Sequence, residues 1–140
     1  MRPIKFRGKC IEEGNASYGE FVYGDLRIIE DKRDFYLIYT INSCVRVDKN
    51  TTGQFTGLFD NKGVEIYEGD IVIYYDDDEY YEYEYEYGVV KWQGDDYYPA
   101  FDLNDHIFEG NALNWLLIAA GKHIEVIGNI HDNPELLEKK

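Results

Sequence analysis

Apolar and polar residues alternate in short runs along this chain, and each run is closed by a turn signal. Ile4 and Phe6 alternate against Lys5 and Arg7, which predicts a first strand over Ile4 to Ile11, turned at Glu13-Gly14-Asn15. Glu20 to Ile29 predicts a second strand, with Gly24 marking a bulge or a close backbone approach. After the charged turn Asp31-Lys32-Arg33-Asp34, Phe35 to Ile41 alternates little, which suggests a strand covered on both faces. Cys44 to Val47 is a further short strand.

The stretch Thr51 to Tyr74 is the richest in turn chemistry. In Asp60-Asn61-Lys62-Gly63 the two short polar side chains can bond their own backbone, and Gly63 can take a positive φ. Glu68-Gly69-Asp70 then leads into the apolar strand Ile71 to Tyr75, with Asp70 placed to accept from nearby amides. Asp76 to Glu79 reads as an acidic turn, and Tyr80 to Trp92 as a long return arm with a bulge at Gly88. Tyr97 to Leu103 follows, and Pro99 assigns it to an edge or a strand start. Helical spacing occurs only late. Leu113, Leu116, Leu117 and Ala120 fall on one helical face within Ala112 to Ala120, although Trp115 and Ile118 also allow a buried strand. Ile124 to Ile130 is a last strand, and Asn133-Pro134-Glu135 opens a terminal helix with Asn133 as its cap. The pattern is that of a β meander or barrel with short helical segments near the end.

At 140 residues the chain fits a single domain. The net charge of −14 repels nucleic-acid backbones and anionic membranes, so neither is expected as a direct partner. No long apolar run follows the N-terminal charges, which predicts no signal peptide, and Cys10 and Cys44 then read as reduced thiols. Chemistry-bearing motifs are scarce. His106, His123 and His131 show no ligand spacing, the cysteines form no CxxC, and Asp60 to Asp70 lacks the spacing of a calcium loop, so no metal or cofactor is expected. There is no GxSxG and no P-loop, and no carboxylate is marked by its neighbours as a general acid or base, so no catalytic residue is assigned.

The most unusual segment is Asp76 to Tyr87, DDDEYYEYEYEY, in which seven of twelve residues are acidic. A strand period places Tyr81, Tyr83, Tyr85 and Tyr87 on one side and Glu82, Glu84 and Glu86 on the other. These seven residues are the candidate partner-binding set. The glutamates of an extended chain stand about 6.6 Å apart, and a DNA strand carries a charge every ~3.4 Å, so the row alone has about half the charge density of a nucleic acid. A solvated hairpin arm is the simpler reading, its charges blunting an exposed edge while its rings pack. Alternatively, four phenols in a row offer the rigid contact area of a subunit interface, and a homo-oligomer is expected.

Several segments together resemble the YopX family of bacteriophage and prophage proteins. They are Ile4-Lys5-Phe6-Arg7-Gly8, Phe21-Val22-Tyr23-Gly24-Asp25 and Gly53-Gln54-Phe55-Thr56-Gly57-Leu58. With them come Asp60-Asn61-Lys62-Gly63, Ile66-Tyr67-Glu68-Gly69-Asp70-Ile71-Val72, and Glu125 to Leu137. Lys49, where a proline is common, and the tyrosine–glutamate tract depart from the family's pattern. The resemblance implies a mainly β fold with an SH3-type β-barrel, read here as a meander over residues 1–50 and a barrel with a C-terminal extension over 51–140. It also implies a bacterial cytoplasmic setting, and it carries no activity. The function expected is a non-enzymatic protein-binding or assembly module that uses the acidic, tyrosine-rich hairpin on itself or on a host or phage protein. The alternatives are a small hydrolase-type enzyme with a carboxylate cleft, or an acidic nucleic-acid mimic that blocks a host DNA-binding protein.

Overall fold

A computed structural model describes residues 3–29, 31, 35–76, 86–95, 98–103 and 122–138. Ten antiparallel strands are described: β1 (Phe6–Lys9), β2 (Phe21–Ile28), β3 (Tyr36–Tyr39), β4 (Cys44–Val47), β5 (Gly53–Phe59), β6 (Glu65–Tyr67), β7 (Asp70–Asp76), β8 (Glu86–Asp95), β9 (Tyr98–Leu103) and β10 (Lys122–Asn129). They form a six-stranded sheet of order β4-β3-β2-β1-β5-β6 and a four-stranded sheet of order β10-β7-β8-β9. The mainly β class is as expected. No barrel closes among the described residues, so the SH3-type closure is not seen there. The chain falls into two compact units, Met1–Gly57 and Leu58–Lys140, and the division runs through β5.

In the first unit, alternation along β2 to β4 puts Val22, Ile38, Val45 and Val47 on one face, where they meet Cys10, with Phe6, Leu26 and Tyr36 packed around them. The outer edge of β4 does not stay bare. Cys10 bridges Val47, Ile11 N–H donates to Arg46 O at 3.0 Å, Asp48 N–H donates to Lys9 O at 2.9 Å, and Arg46 N–H donates to the Glu12 carboxylate at 2.9 Å. A sheet edge that would otherwise invite a foreign strand is thus bonded to the chain leaving β1.

Two expectations fail in this unit. Ile4 is exposed and Arg7 is buried, the reverse of the expected alternation; the Arg7 guanidinium lies over the Phe21 ring at 4.5 Å, which lets a cation sit out of water on an aromatic face. The strand at Phe35 to Ile41 is covered on one side only, since Ile38 is buried while Tyr39 and Ile41 are exposed. Of the two readings expected for Gly24, the close approach is the one found, with Tyr39 O lying where a side chain would begin and the β1–β2 register unbroken. Of the charged turn after β2, Lys32, Arg33 and Asp34 lie outside the described residues; Ile29 N–H donates to Phe35 O at 3.0 Å across it.

The second unit buries Ile66, Val72, Tyr74, Val90, Phe101, Leu103 and Ile124, flanked by Leu58 and Val126. Strand pairing explains the set. Val72 stands opposite both Gly88 and Val126, Tyr74 opposite Ile124, and Val90 opposite Leu103, so one face of the sheet collects them. Gly88 is not a bulge. The β7–β8 register runs through it unbroken, and its missing side chain leaves room for Leu103 and Tyr74, whose atoms lie 3.3 Å from where a Cβ would stand. The irregularity is in β10 instead, between Val126 and Gly128, and it breaks the parity that would have aligned Ile130 with Ile124. Ile124 is buried and Ile130 is exposed accordingly.

Pro99 lies near the start of β9, an edge strand, as its missing N–H requires. The helix expected over Ala112 to Ala120 lies outside the described residues. The terminal helix is a short 3-10 turn, Pro134–Leu137, with proline in its first turn. Asn133 does not cap it. Its Oδ1 accepts from Asn129 N–H at 3.3 Å, because the chain after β10 reverses through Asn129, whose own Oδ1 takes the N–H groups of His131 and Asp132.

Candidate functional site

Of the candidate partner-binding residues, Tyr81, Glu82, Tyr83, Glu84 and Tyr85 lie outside the described residues. Glu86 and Tyr87 open β8, opposite Tyr74 and Ile73 of β7. Tyr87 is half-buried. It shares its strand face with Val89, and Gly88 and Val90 occupy the other face, over the second unit's core. The tract therefore enters β8 in a fixed frame, set by four consecutive β7–β8 pairs from Tyr74–Glu86 to Ile71–Val89.

Carboxylates are abundant in the second unit, yet the buried ones described are committed. Asp60 is 6% exposed and Asp70 is 2% exposed. One oxygen of Asp60 accepts from Lys62 N–H at 2.8 Å and Val64 N–H at 2.9 Å, closing the turn. Its other oxygen accepts from Val126 N–H at 2.9 Å, on β10. Asn61 continues the contact: its Oδ1 accepts from Ile124 N–H, and its own N–H donates to Ile124 O at 3.1 Å. The turn thus does for the outer edge of β10 what a further strand would do. Asp70 accepts from Tyr67 N–H at 2.7 Å and holds the Glu68-Gly69 turn between β6 and β7. Among the described residues no three of His, Cys, Asp and Glu are grouped to hold a metal ion.

Lys62 projects from the same turn and forms an ion pair with Glu125 at 2.8 Å. The hydrogen bond to Glu125, then the charge of that carboxylate, raise the Lys62 ammonium above its ordinary value. A raised base adds stability below its unfolded-state titration and loses it only as the pH climbs through the folded one. Both side chains are well exposed, so the pair is screened. We expect Glu125→Gln to leave the urea midpoint essentially unchanged between pH 6 and pH 9, well below the lysine titration near ~10.4. A clear drop in that window would show that the ion pair, rather than the Asp60 carboxylate, holds the turn.

The sequence profile of the family described as YopX protein matches residues 5–138. The chain belongs to the YopX family. It is also similar to a crystal structure of protein EF1440 from Enterococcus faecalis, at 25% identity and a TM-score of 0.57, over 98% of this chain and 99% of that one. No curated protein matches. The segments that suggested a YopX resemblance include turns whose role the geometry makes plain. Asp60-Asn61-Lys62-Gly63 fastens β10, and Gly69-Asp70 sets the start of β7.

One feature escaped sequence reasoning. The first unit presents Tyr23, Arg27, Tyr39 and Arg46 on the sheet face turned away from its core. The signal was available as an uneven distribution of charge. Residues 1–57 hold nine Lys and Arg against eight Asp and Glu, and residues 58–140 hold five against twenty. A single net charge for the whole chain averages this away.

Proposed function

We propose that this YopX-family chain is a non-enzymatic docking or assembly module of phage or prophage origin, acting in the bacterial cytoplasm through its acidic, tyrosine-rich segment. The observation that carries the reading is the period-two alternation of tyrosine and glutamate in the sequence from Tyr81 to Tyr87, whose last two residues open β8. Phenols supply rigid contact area at small entropic cost, and the carboxylates select a basic partner. The enzyme alternative is disfavoured, since the buried carboxylates described, Asp60 and Asp70, already accept backbone N–H groups. An SH3-type barrel remains part of the proposal: a β7-β8-β9 meander with β10 returning beside β7 is compatible with one.

The test uses the full chain immobilised and exposed to a bacterial host lysate at low and at high salt. A partner held at low salt, released at high salt, and lost both with Glu82, Glu84 and Glu86 changed to Gln and with Tyr81, Tyr83, Tyr85 and Tyr87 changed to Ser is the expected result. Equal capture by the wild type and both variant sets would end this reading.

A further inference from the structure

The two units differ sharply in charge, the first near neutral and the second strongly acidic. The first sums to +1 and the second to −15. At physiological ionic strength exposed charges are screened beyond about 8 Å, so a local face counts for more than the molecular total. The outer face of the first sheet is such a face. Strand register puts Tyr23, Asp25 and Arg27 of β2, Leu37 and Tyr39 of β3, and Arg46 of β4 on the side away from Val22, Ile38 and Val45.

We propose that this face docks the acidic, tyrosine-rich segment Asp76–Tyr87 of a second copy of the chain. The inference rests on the reading of that segment as a docking element, and it names the surface that receives it. Tyr23 is 47% exposed and Tyr39 is 39% exposed, an amount of aromatic surface that a neighbouring phenol row can cover. Arg27 is exposed and Arg46 half-exposed. Both stand in register with Leu37, one on each side of it. Strands lie about 4.8 Å apart, so the two guanidinium-bearing positions flank an apolar strip about 9.6 Å wide. The Arg46 guanidinium is stacked on Phe35 at 4.6 Å, and its Nε is buried with no hydrogen-bond partner. A stacked guanidinium is held flat and offers its remaining N–H edge to a carboxylate. Along β2, same-face positions recur every ~6.6 Å, the repeat that Glu82, Glu84 and Glu86 have in any extended conformation.

Charge complementarity selects the occupant. A nucleic acid would meet the same two arginines, but it would also meet Asp25 on the face and would bring no rings to match Tyr23 and Tyr39 in a strand repeat. A second copy brings seven acids in twelve residues and its own rings. Face and segment are different patches, so the contact closes by reciprocal exchange between two copies or continues head-to-tail into a ring or a chain.

Complementation between two variants of the full chain tests this. The face variant carries Arg27→Glu and Arg46→Glu; the segment variant carries Glu82, Glu84 and Glu86 changed to Lys. Light scattering at low salt is expected to give the wild type a mass above one chain that falls as salt rises. Each variant alone is expected to associate at least about tenfold more weakly. Mixed, the intact arginine face of the segment variant meets the intact acidic segment of the face variant, and the reversed face meets the reversed segment, so the two are expected to recover association with each other. Circular dichroism of each variant confirms that it is folded. A wild type of single-chain mass at every concentration overturns the proposal, as do variants that associate like the wild type or a mixture that stays monomeric. Uptake of a labelled single-stranded oligonucleotide by the wild type, abolished in the face variant, would give the face to nucleic acid instead. If the wild type is monomeric but still captures a host partner in the lysate experiment, the docking reading survives and this inference alone fails.

Discussion

Gly24→Ala is expected to unfold the first unit or to cost it at least about 3 kcal/mol. Gly24 sits in β2 opposite Phe6, and its backbone passes so close to β3 that a Cβ would stand 2.0 Å from Tyr39 O and 2.9 Å from the Tyr39 carbonyl carbon. Those are backbone atoms. They cannot swing aside as a side chain can, so β3 must move, and with it Ile38, which is fully buried in the first core. The φ of +158° adds strain of its own. Gly14→Ala is the control. Gly14 has φ +83° but nothing within 4 Å of its missing Cβ, so only the backbone term applies, about 1–2 kcal/mol. Urea denaturation of both variants, followed by near-ultraviolet dichroism, separates the two effects. If Gly24→Ala cost no more than Gly14→Ala, the close approach of β2 and β3 would be wrong.

The ease of reading the sequence followed the range of the interactions involved. Turns were legible because their chemistry is local: Asp60 and Gly63 close a turn within four residues, and Asp70 reaches only to Tyr67. The strand order was not, since nothing near Asp60 announces that its second oxygen will take the Val126 amide, 66 residues away. Arg7 and Ile4 exchanged their expected places for a similar reason. The ring that makes burial of Arg7 tolerable belongs to Phe21, on another strand. The bulge was assigned to Gly88 on composition, whereas the register breaks after Val126. There the following turn is drawn in by Asn129 and Asn133, a reciprocal pair that resembles a helix cap when read one residue at a time.

The candidate surfaces divide along the same line. The tyrosine–glutamate alternation is written in consecutive residues and was visible at once. The basic, aromatic face gathers Tyr23 and Arg27 from β2, Tyr39 from β3 and Arg46 from β4, and only the antiparallel register brings them together. A net charge of −14 argued against any anionic partner, although the first 57 residues carry almost none of that charge. For a chain of two units, the charge of each is the quantity that bears on partners.

Asp60→Ala is expected to destabilise the second unit by about 2–4 kcal/mol. The carboxylate is almost fully buried and accepts three backbone N–H groups, from Lys62, Val64 and Val126. Lys62 and Val64 are exposed, so water can replace the lost acceptor for their amides. Val126 is half-buried against the core, and its amide loses an acceptor that solvent replaces poorly. Asp60→Asn is expected to fall between alanine and wild type. The carboxamide oxygen can still close the turn, but its NH2 group then faces the Val126 N–H, donor against donor. Asn61 would still hold the Ile124 amide, so the damage is expected to concentrate one pair along β10. Hydrogen exchange reads this directly: in Asp60→Ala the Val126 amide should lose far more protection than the amides of β8, and the Glu125→Gln variant should leave both unchanged. Protection at Val126 that survived the loss of Asp60 would mean that β10 is held by its pairing with β7 alone, and that the turn merely lies beside it.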